Sequence, residues 1–292
     1  MGKNNYNLGS RDMGYAGRIA LSDLQEKGLL SYSSVDAMTD RFRNFSSFLK
    51  SELNITKMEN VTHDSIKSYY KTLTNNGLSA STIQNRISAI NTVLHHASGG
   101  TWEKIGAVKD LGCAERSYIR IERAEITREQ GAGAADALRS AGFERAAAVV
   151  ELARDLGLRM REASLLNIPQ AFKEAEKTGL MTVSDGAKGG RERQVVVSTE
   201  AKETLCKLAE NGFKKVVGDE RLGHLINGEL AEAREVLKDH GIKGYHELRA
   251  AWAQERYDSL RENGLNEKNA REIVSHELGH NRVEITNSYI VR

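Results

Sequence analysis

Ser275-His276-Glu277-Leu278-Gly279-His280 fits two unrelated chemistries. On a continuous helix, residues four apart share a face, so His276 and His280 could ligate one zinc ion with Glu277 beside them as general base. A catalytic zinc ordinarily takes three protein ligands, and no histidine or cysteine follows His280. Glu284 could serve only if three successive helical turns wrapped one ion, which geometry disfavours. The second chemistry draws on residues spread along the chain. Arg159 stands in an otherwise apolar helical stretch from 146 to 166, where a positive charge needs a partner. His246 and Arg249 are three apart and share a helical face. Tyr289 follows His280 by nine residues and Thr286 by three, and Lys188 sits near the tip of a glycine-rich turn. Two arginines, two histidines, a lysine and a tyrosine are what metal-free phosphoryl transfer requires. Arginines clamp nonbridging oxygens bidentately and offset the charge that grows in the transition state. A tyrosine hydroxyl supplies a nucleophile that conserves bond energy in a phosphoester, and its unperturbed pKa of about 10 calls for nearby positive charge or a base.

These side chains must be positioned by a mainly helical scaffold. The 292 residues are enough for one or two domains with a core in each. Forty-two Lys and Arg against forty Asp and Glu leave a net charge of +2, so bulk electrostatics neither demands nor excludes a nucleic-acid partner. Two cysteines, Cys113 and Cys206, are too few for a disulfide framework or a cysteine-rich metal site. With no apolar signal core and no run of about 18 apolar residues, the expectation is a soluble chain in the reducing cytoplasm, with no membrane partner. The single proline leaves long segments uninterrupted, and apolar spacing predicts helices over about 35–54, 63–76 and 79–97. In the last of these, Ile83, Ile87, Ile90 and Leu94 form one stripe. Gln84, Arg86, Ser88, Asn91 and His95 fall off it: either a solvated face, or a face turned to DNA, where Gln84, Arg86 and Asn91 carry side chains suited to base edges and phosphates. The helical pattern breaks from Ser98 to about Arg128, which divides the chain into a helical domain at 1–100, a linker at 101–125 and a second domain at 126–292. The second domain carries one strand signal, Leu180–Ser184 and Gln194–Ser198 joined by a turn containing Lys188. No Gly-Lys-Ser/Thr follows in that turn and no helix begins there, so it is not a nucleotide cradle; neither a cofactor nor a metal is expected.

Taken together the pieces resemble the tyrosine recombinase, or phage integrase, family. They are Gly-Leu-Arg-x-x-Glu at 157–162, Lys188 with a following basic residue at Arg193, His-x-x-Arg at 246–249, Leu-Gly-His at 278–280 and Thr-x-x-Tyr at 286–289. Each fragment is weak alone; their order and separation are specific. Asn60-Val61-Thr62, Ile66, Tyr69, Leu73 and 77–83 resemble the family's helical core-binding domain, so the resemblance runs from about Tyr15 onward.

The resemblance implies a mainly α protein with a small β-hairpin, a helical SAM-like core-binding domain preceding the catalytic domain, and site-specific cutting and rejoining of duplex DNA for the integration or excision of a mobile element. Arg159 and Arg249 would hold the scissile phosphate and Lys188 would protonate the departing 5′ oxygen. His246 would act as general base or acid, His280 would hydrogen-bond the phosphate, and Tyr289 would form a 3′-phosphotyrosyl link. Glu162 would orient local structure. Arg193 is placed with the DNA-contacting residues, against the alternative that it and Glu277 lie at the surface or in support. Implied partners are duplex DNA with inverted-repeat core sites, three further copies in a tetramer on two duplexes, and accessory DNA-bending or directionality factors. Dimer resolution of chromosomes or plasmids uses the same chemistry; a type IB topoisomerase and a zinc protease are more distant rivals. Two departures stand out. The stretch after the first arginine, Leu166–Lys173, lacks the family's usual lead into a strand, leaving the first strand of the small sheet in doubt. Only three residues follow Tyr289, where many relatives add a helix that docks on the neighbouring subunit.

Overall fold

Side-chain caps set the helix starts of the first unit. In the computed structural model, which describes residues 5–117, 119, 120, 122–280 and 282–291, this unit spans 1–117 and the second 118–292. Asp12, Ser31, Thr62 and Ser79 each accept a hydrogen bond from the backbone N–H three residues on, opening α1 (Met13–Glu26), α2 (Tyr32–Leu53), α3 (His63–Asn75) and α4 (Ala80–Ala97). Helices α2 to α4 answer the periodicity of the sequence. Helix α1 was not anticipated, because Gly14 and Gly17 weaken its pattern. Packing explains Gly17: a Cβ there would stand 2.3 Å from the ring of Phe42. Phe42, Phe45, Leu49, Ile66 and the α4 stripe Ile83, Ile87, Ile90 and Leu94 fill one core, each large side chain contributing about 1.5–3 kcal/mol by burial.

The off-stripe residues of α4 turn out to serve the unit itself. Asn91 donates to the Ile105 carbonyl at 2.8 Å and accepts from Trp102 Nε1 and Ile105 N. Gln84 donates to the Ala114 carbonyl at 2.7 Å and accepts from Arg116 Nε, while Arg86 donates to the Tyr69 hydroxyl. Gln84, Arg86 and Asn91, the residues expected to face DNA, thus each commit a hydrogen-bonding group to the segment after α4 or to α3. The same bonds redraw the expected linker. Residues 101–117 fold back on α4, with Ile105 and Cys113 buried in the first core, while Ala124 and Ile126 bury in the second.

The second unit is built round α6 (Glu144–Leu156), whose Ala146–Val150, Leu152, Ala153 and Leu156 are fully buried. It packs against α5 (Arg128–Ser140), α9 (Thr199–Glu210) and α13 (Tyr245–Glu262). Between them run α7 (Met160–Leu165), α8 (Ile168–Thr178), and the short α10 (Leu222–Asn227), α11 (Glu229–Glu232) and α12 (Arg234–Asp239); α14 (Glu267–Glu277) follows. Gly157 ends α6 in the left-handed region, and a Cβ there would meet Trp252 of α13 at 2.3 Å, so glycine alone permits this approach. The doubtful strand after Arg159 is a helix, α8, capped by Asn167 with Pro169 in its first turn. The sheet among the described residues is the hairpin β1 (Leu180–Val183) and β2 (Arg193–Val196), antiparallel with Met181 opposite Val195 and Val183 opposite Arg193. No helix among the described residues is long and apolar enough to cross a membrane.

Candidate active site

Glu162, fully buried near the start of α7, gathers three arginines. Arg193 binds it bidentately at 2.9 and 2.8 Å, Arg159 reaches it through Nη1 at 2.7 Å and its backbone N–H at 2.8 Å, and Arg249 Nη1 lies 3.5 Å away. Burial alone would raise the Glu162 pKa; the hydrogen bonds and charge of Arg193, with the charge of Arg249, bring it down to about 2. One carboxylate faces three guanidiniums, and this excess of positive charge in a poorly solvated place is an invitation to an anion.

Arg249, on α13, is completely buried. Its Nη atoms donate to the carbonyls of Gly157 and Leu278, which fix the guanidinium plane, while Nε meets no partner among the described residues. Desolvation first and Arg159 second lower its pKa to about 10, so it stays charged at neutral pH. His280 is half-buried. Its Nδ1 lies 2.9 Å from the Thr286 hydroxyl, and its buried Nε2 has no partner among the described residues. Burial, then the charges of Arg249 and Arg159, push its pKa to about 3, leaving a neutral ring. His246, in the first turn of α13, is lowered in the same way although the residue is more exposed than His280: desolvation comes first, then Arg249 and Arg159. Tyr289 follows a 3-10 turn (Val283–Ser288), is 5% exposed and lies between the two imidazoles, with ring centroids 5.0 Å from His246 and 4.9 Å from His280. The Arg249 guanidinium carbon stands 5.6 Å from the tyrosine ring centroid.

Five of the six expected residues, Arg159, His246, Arg249, His280 and Tyr289, thus converge. Lys188 does not join them: it stands exposed on the turn Lys188–Gly190, with no bond from its ammonium to the cluster among the described residues. Its loop is nevertheless anchored beside the site, because a Cβ on Gly186 would meet the Arg161 carbonyl oxygen at 2.8 Å.

The zinc alternative fails on geometry. Helix α14 ends at Glu277, and Gly279 turns left-handed, so His276 and His280 do not share one helical face. Glu277 is buried and paired with Arg256 at 2.9 Å, where it cannot act as a base on a ligand between the histidines.

Comparison with known proteins meets this geometry. A sequence profile described as "Integrase" matches residues 125–255, and one described as "Phage integrase, N-terminal SAM-like domain" matches residues 21–98. The chain belongs to the tyrosine recombinase family. It is a DNA strand-breaking and rejoining enzyme of the site-specific recombinase class. No curated protein matches the sequence. Solved structures share the fold of the recombinase at low identity. The Tn1549 transposon integrase in complex with a circular intermediate DNA is 13% identical, with a TM-score of 0.62 over 94% of this chain and 95% of that one. A lambda integrase dimer bound to a COC′ core site is 17% identical, with a TM-score of 0.61 over 92% and 75%. A lambda integrase tetramer bound to a Holliday junction is 17% identical, with a TM-score of 0.58 over 90% and 72%.

Two features of the recombinase were only partly legible in the sequence. Arg193 takes the supporting place that the sequence left open beside a DNA contact: it is 6% exposed, binds Glu162 through both Nη atoms and donates from Nε to the Glu277 carbonyl at 2.7 Å. Strand period was the available signal, since Arg193 lies two residues before the inward Val195 and so shares its face. The second feature is Gln254 of α13, which sequence reading passed over. Its amide accepts from Val291 N at 2.7 Å and donates to Val291 O at 3.3 Å, holding the backbone two residues past Tyr289 as a strand partner would. A glutamine in the run Ala250-Ala251-Trp252-Ala253-Gln254 was the clue, because a buried amide needs partners.

Proposed function

We propose that Tyr289 cuts one DNA strand by direct attack on a phosphodiester held by Arg159, Arg249 and His280, and that the enzyme does so in the integration or excision of a mobile element. One observation carries this reading: three guanidiniums share the single carboxylate of Glu162 beside the Tyr289 ring, and two residues that enclose that ring, Arg249 and His280, each hold a buried nitrogen without a partner among the described residues. Unsatisfied buried polar groups are costly, and beside unbalanced positive charge they mark a place for an absent anion. In the step, the Tyr289 Oη–P bond forms and the P–O5′ bond breaks. The tyrosine proton passes to neutral His246, and the leaving 5′ oxygen takes a proton from Lys188, whose loop would close over the bound DNA. The product is a 3′-phosphotyrosyl link and a free 5′ hydroxyl. Reversal of the same steps rejoins the strand without an energy source, because the phosphoester bond is conserved. The arginines supply the charge that offsets the phosphorane.

The mobile-element role is supported by the phage-integrase description of the family and by the shared fold with transposon and phage integrases. Recombination joins two duplexes through two strand exchanges, so the acting form is a tetramer on two inverted-repeat core sites, assisted by DNA-bending or directionality factors.

The test uses a duplex carrying the element's crossover site with a nick near the point of cleavage, so that the short 5′ fragment diffuses away and the intermediate accumulates. With chelator present, the wild-type chain should become covalently attached to the DNA. Tyr289→Phe should abolish the adduct while leaving DNA binding intact, and Glu277→Gln should reduce it only through the lost pairing with Arg256. An adduct that survives Tyr289→Phe sinks the assignment.

A further inference from the structure

Beside the candidate active site lies a cavity of about 640 Å³ whose wall includes Arg159, His246 and four further cations, Arg161 on α7, Arg234 and Lys238 on α12, and Lys243 ahead of α13; the rest of its lining is uncharged. No carboxylate lines it. That segregation stands out in a chain with 42 basic and 40 acidic residues. Arg234 and Lys238 are four apart on one helical face, an arrangement that destabilises a helix by a few tenths of a kcal/mol and so needs a reason outside the helix. Among the described residues neither Arg161, Arg234 nor Lys243 makes an ion pair, and the Lys238 pair with Glu235 is solvent-exposed on both sides, hence weak and easily exchanged. The 18-residue helix α13 opens onto the cavity at Gly244, Tyr245 and His246, adding the positive end of its dipole. Tyr245 forms fixed floor, buried and donating to the Leu230 carbonyl at 3.2 Å.

We infer that this cavity holds a second phosphodiester of the strand being cut, next to the scissile one. The inference rests on the proposed attack at a phosphate held by Arg159, since the cavity and that site share Arg159 and His246 as a common wall. Phosphates of one strand recur at about 3.4 Å along the duplex axis, so a strand placed at one site must present a neighbouring phosphate to its surroundings. A polyanion threaded through both would offset the excess charge round Glu162 and the unpaired cations of the cavity together, and would fix which phosphate is scissile by gripping the one beside it.

The experiment replaces Arg234, Lys238 and Lys243 together with glutamine; all three are exposed, and none belongs to the residues that converge on Tyr289. Binding is measured in a Tyr289→Phe background, so that it is read without cleavage and remains interpretable even if the catalytic reading fails. Duplexes carry a neutral methylphosphonate at one position at a time around the crossover site. Without the triple change, one neutral linkage adjacent to the scissile phosphate should weaken binding about tenfold, the scale of a lost hydrogen bond to a charged group. With it, that sensitivity should vanish, and the slope of log affinity against log salt should become shallower by about 0.9 for each phosphate released. Unchanged sensitivity at the adjacent position, or an unchanged salt slope, overturns the inference. So does a free-anion result, in which inorganic phosphate binds the cavity and is lost on triple substitution while the methylphosphonate scan stays the same.

Discussion

The second unit holds two ionic clusters, one round the buried Glu162 and one round the half-exposed Glu255, and they differ in their sums. Around Glu162, three guanidiniums share one carboxylate. Around Glu255, Arg128 and Arg154 face two carboxylates: Arg128 bonds Glu255 at 2.8 Å and Asp155 at 3.2 Å, and Arg154 bonds Glu255 at 2.6 Å. The second cluster is closed further by Thr204, which donates to Asp155 at 2.7 Å, and by the Ile126 carbonyl, which accepts from Arg154. Buried nitrogens without partners do not separate the two, because Arg154 Nη1 is one as well. Charge balance does. Matched charges tie α5, α6 and α13 together and leave nothing for a ligand, whereas a twofold positive excess beside a tyrosine and two neutral imidazoles is unfinished without an anion.

The largest effect should come from attacking the unbalanced cluster at its centre. Glu162→Gln leaves three guanidiniums without a counter-charge, and the loss of one partner from a buried ionic cluster typically costs about 3–5 kcal/mol. Denaturant unfolding should show this loss, and added sulfate or phosphate should restore part of it by supplying the missing negative charge. Glu255→Gln, at a half-exposed position in the balanced cluster, should cost about 1 kcal/mol or less, with no rescue by anions. Equal costs and equal anion response would erase the distinction.

Next in size is Arg249→Lys. A lysine cannot keep both carbonyl contacts and aim a further N–H at a phosphate, so covalent-adduct formation should fall on the order of 10²–10³-fold, the scale of one lost transition-state donor. Duplex affinity should move far less. A comparable drop in affinity would reassign Arg249 to binding.

Acid should then sharpen the contrast. Glu162 has a folded pKa of about 2 against an ordinary 4.5, so its contribution is present above about 4.5 and is lost as pH falls toward 2. His280 has a folded pKa of about 3 against 6.5, so between those values the unfolded chain binds the extra proton and stability again declines with falling pH. Asp155 in the balanced cluster is shifted upward, chiefly by burial, and between its ordinary value and the raised one its titration acts in the opposite direction. Stability measured from pH 7 to pH 4 should therefore fall, and His280→Gln should flatten the decline relative to the wild type. A profile unaffected by His280→Gln would show that its ring is not held neutral.

The smallest expected effect belongs to Gln254→Ala. It removes two hydrogen bonds to Val291, worth about 1 kcal/mol each, so the adduct rate should fall by up to about 30-fold with DNA affinity unchanged. A loss of global stability of the same size without a rate change would make Gln254 only a packing residue.

Much of this was legible before the fold. Helices α2 to α4 follow from apolar spacing and serine or threonine caps, because both signals are local. The hairpin followed from β-branched runs round a glycine turn. The identities of Arg159, His246, Arg249, His280 and Tyr289 could be picked out as phosphoryl-transfer chemistry because residue type and order are all that such a set needs to be recognised. Helix α8 was hidden because Pro169 reads as a break until it is seen in a first turn.

What the chain's letters determined, then, was the inventory of reactive groups and the local elements that carry them. What only the tertiary structure decided was charge and direction. Arg193 points inward to Glu162 because β2 pairs with β1 in one register; Asn91 and Gln84 turn to 101–117 because that segment folds back on α4; and His276 and His280 part company because Gly279 ends a helix between them. Each depends on which groups share a desolvated space, and Coulomb and hydrogen-bond energies there are set by distances between residues far apart in the chain, which no local pattern encodes.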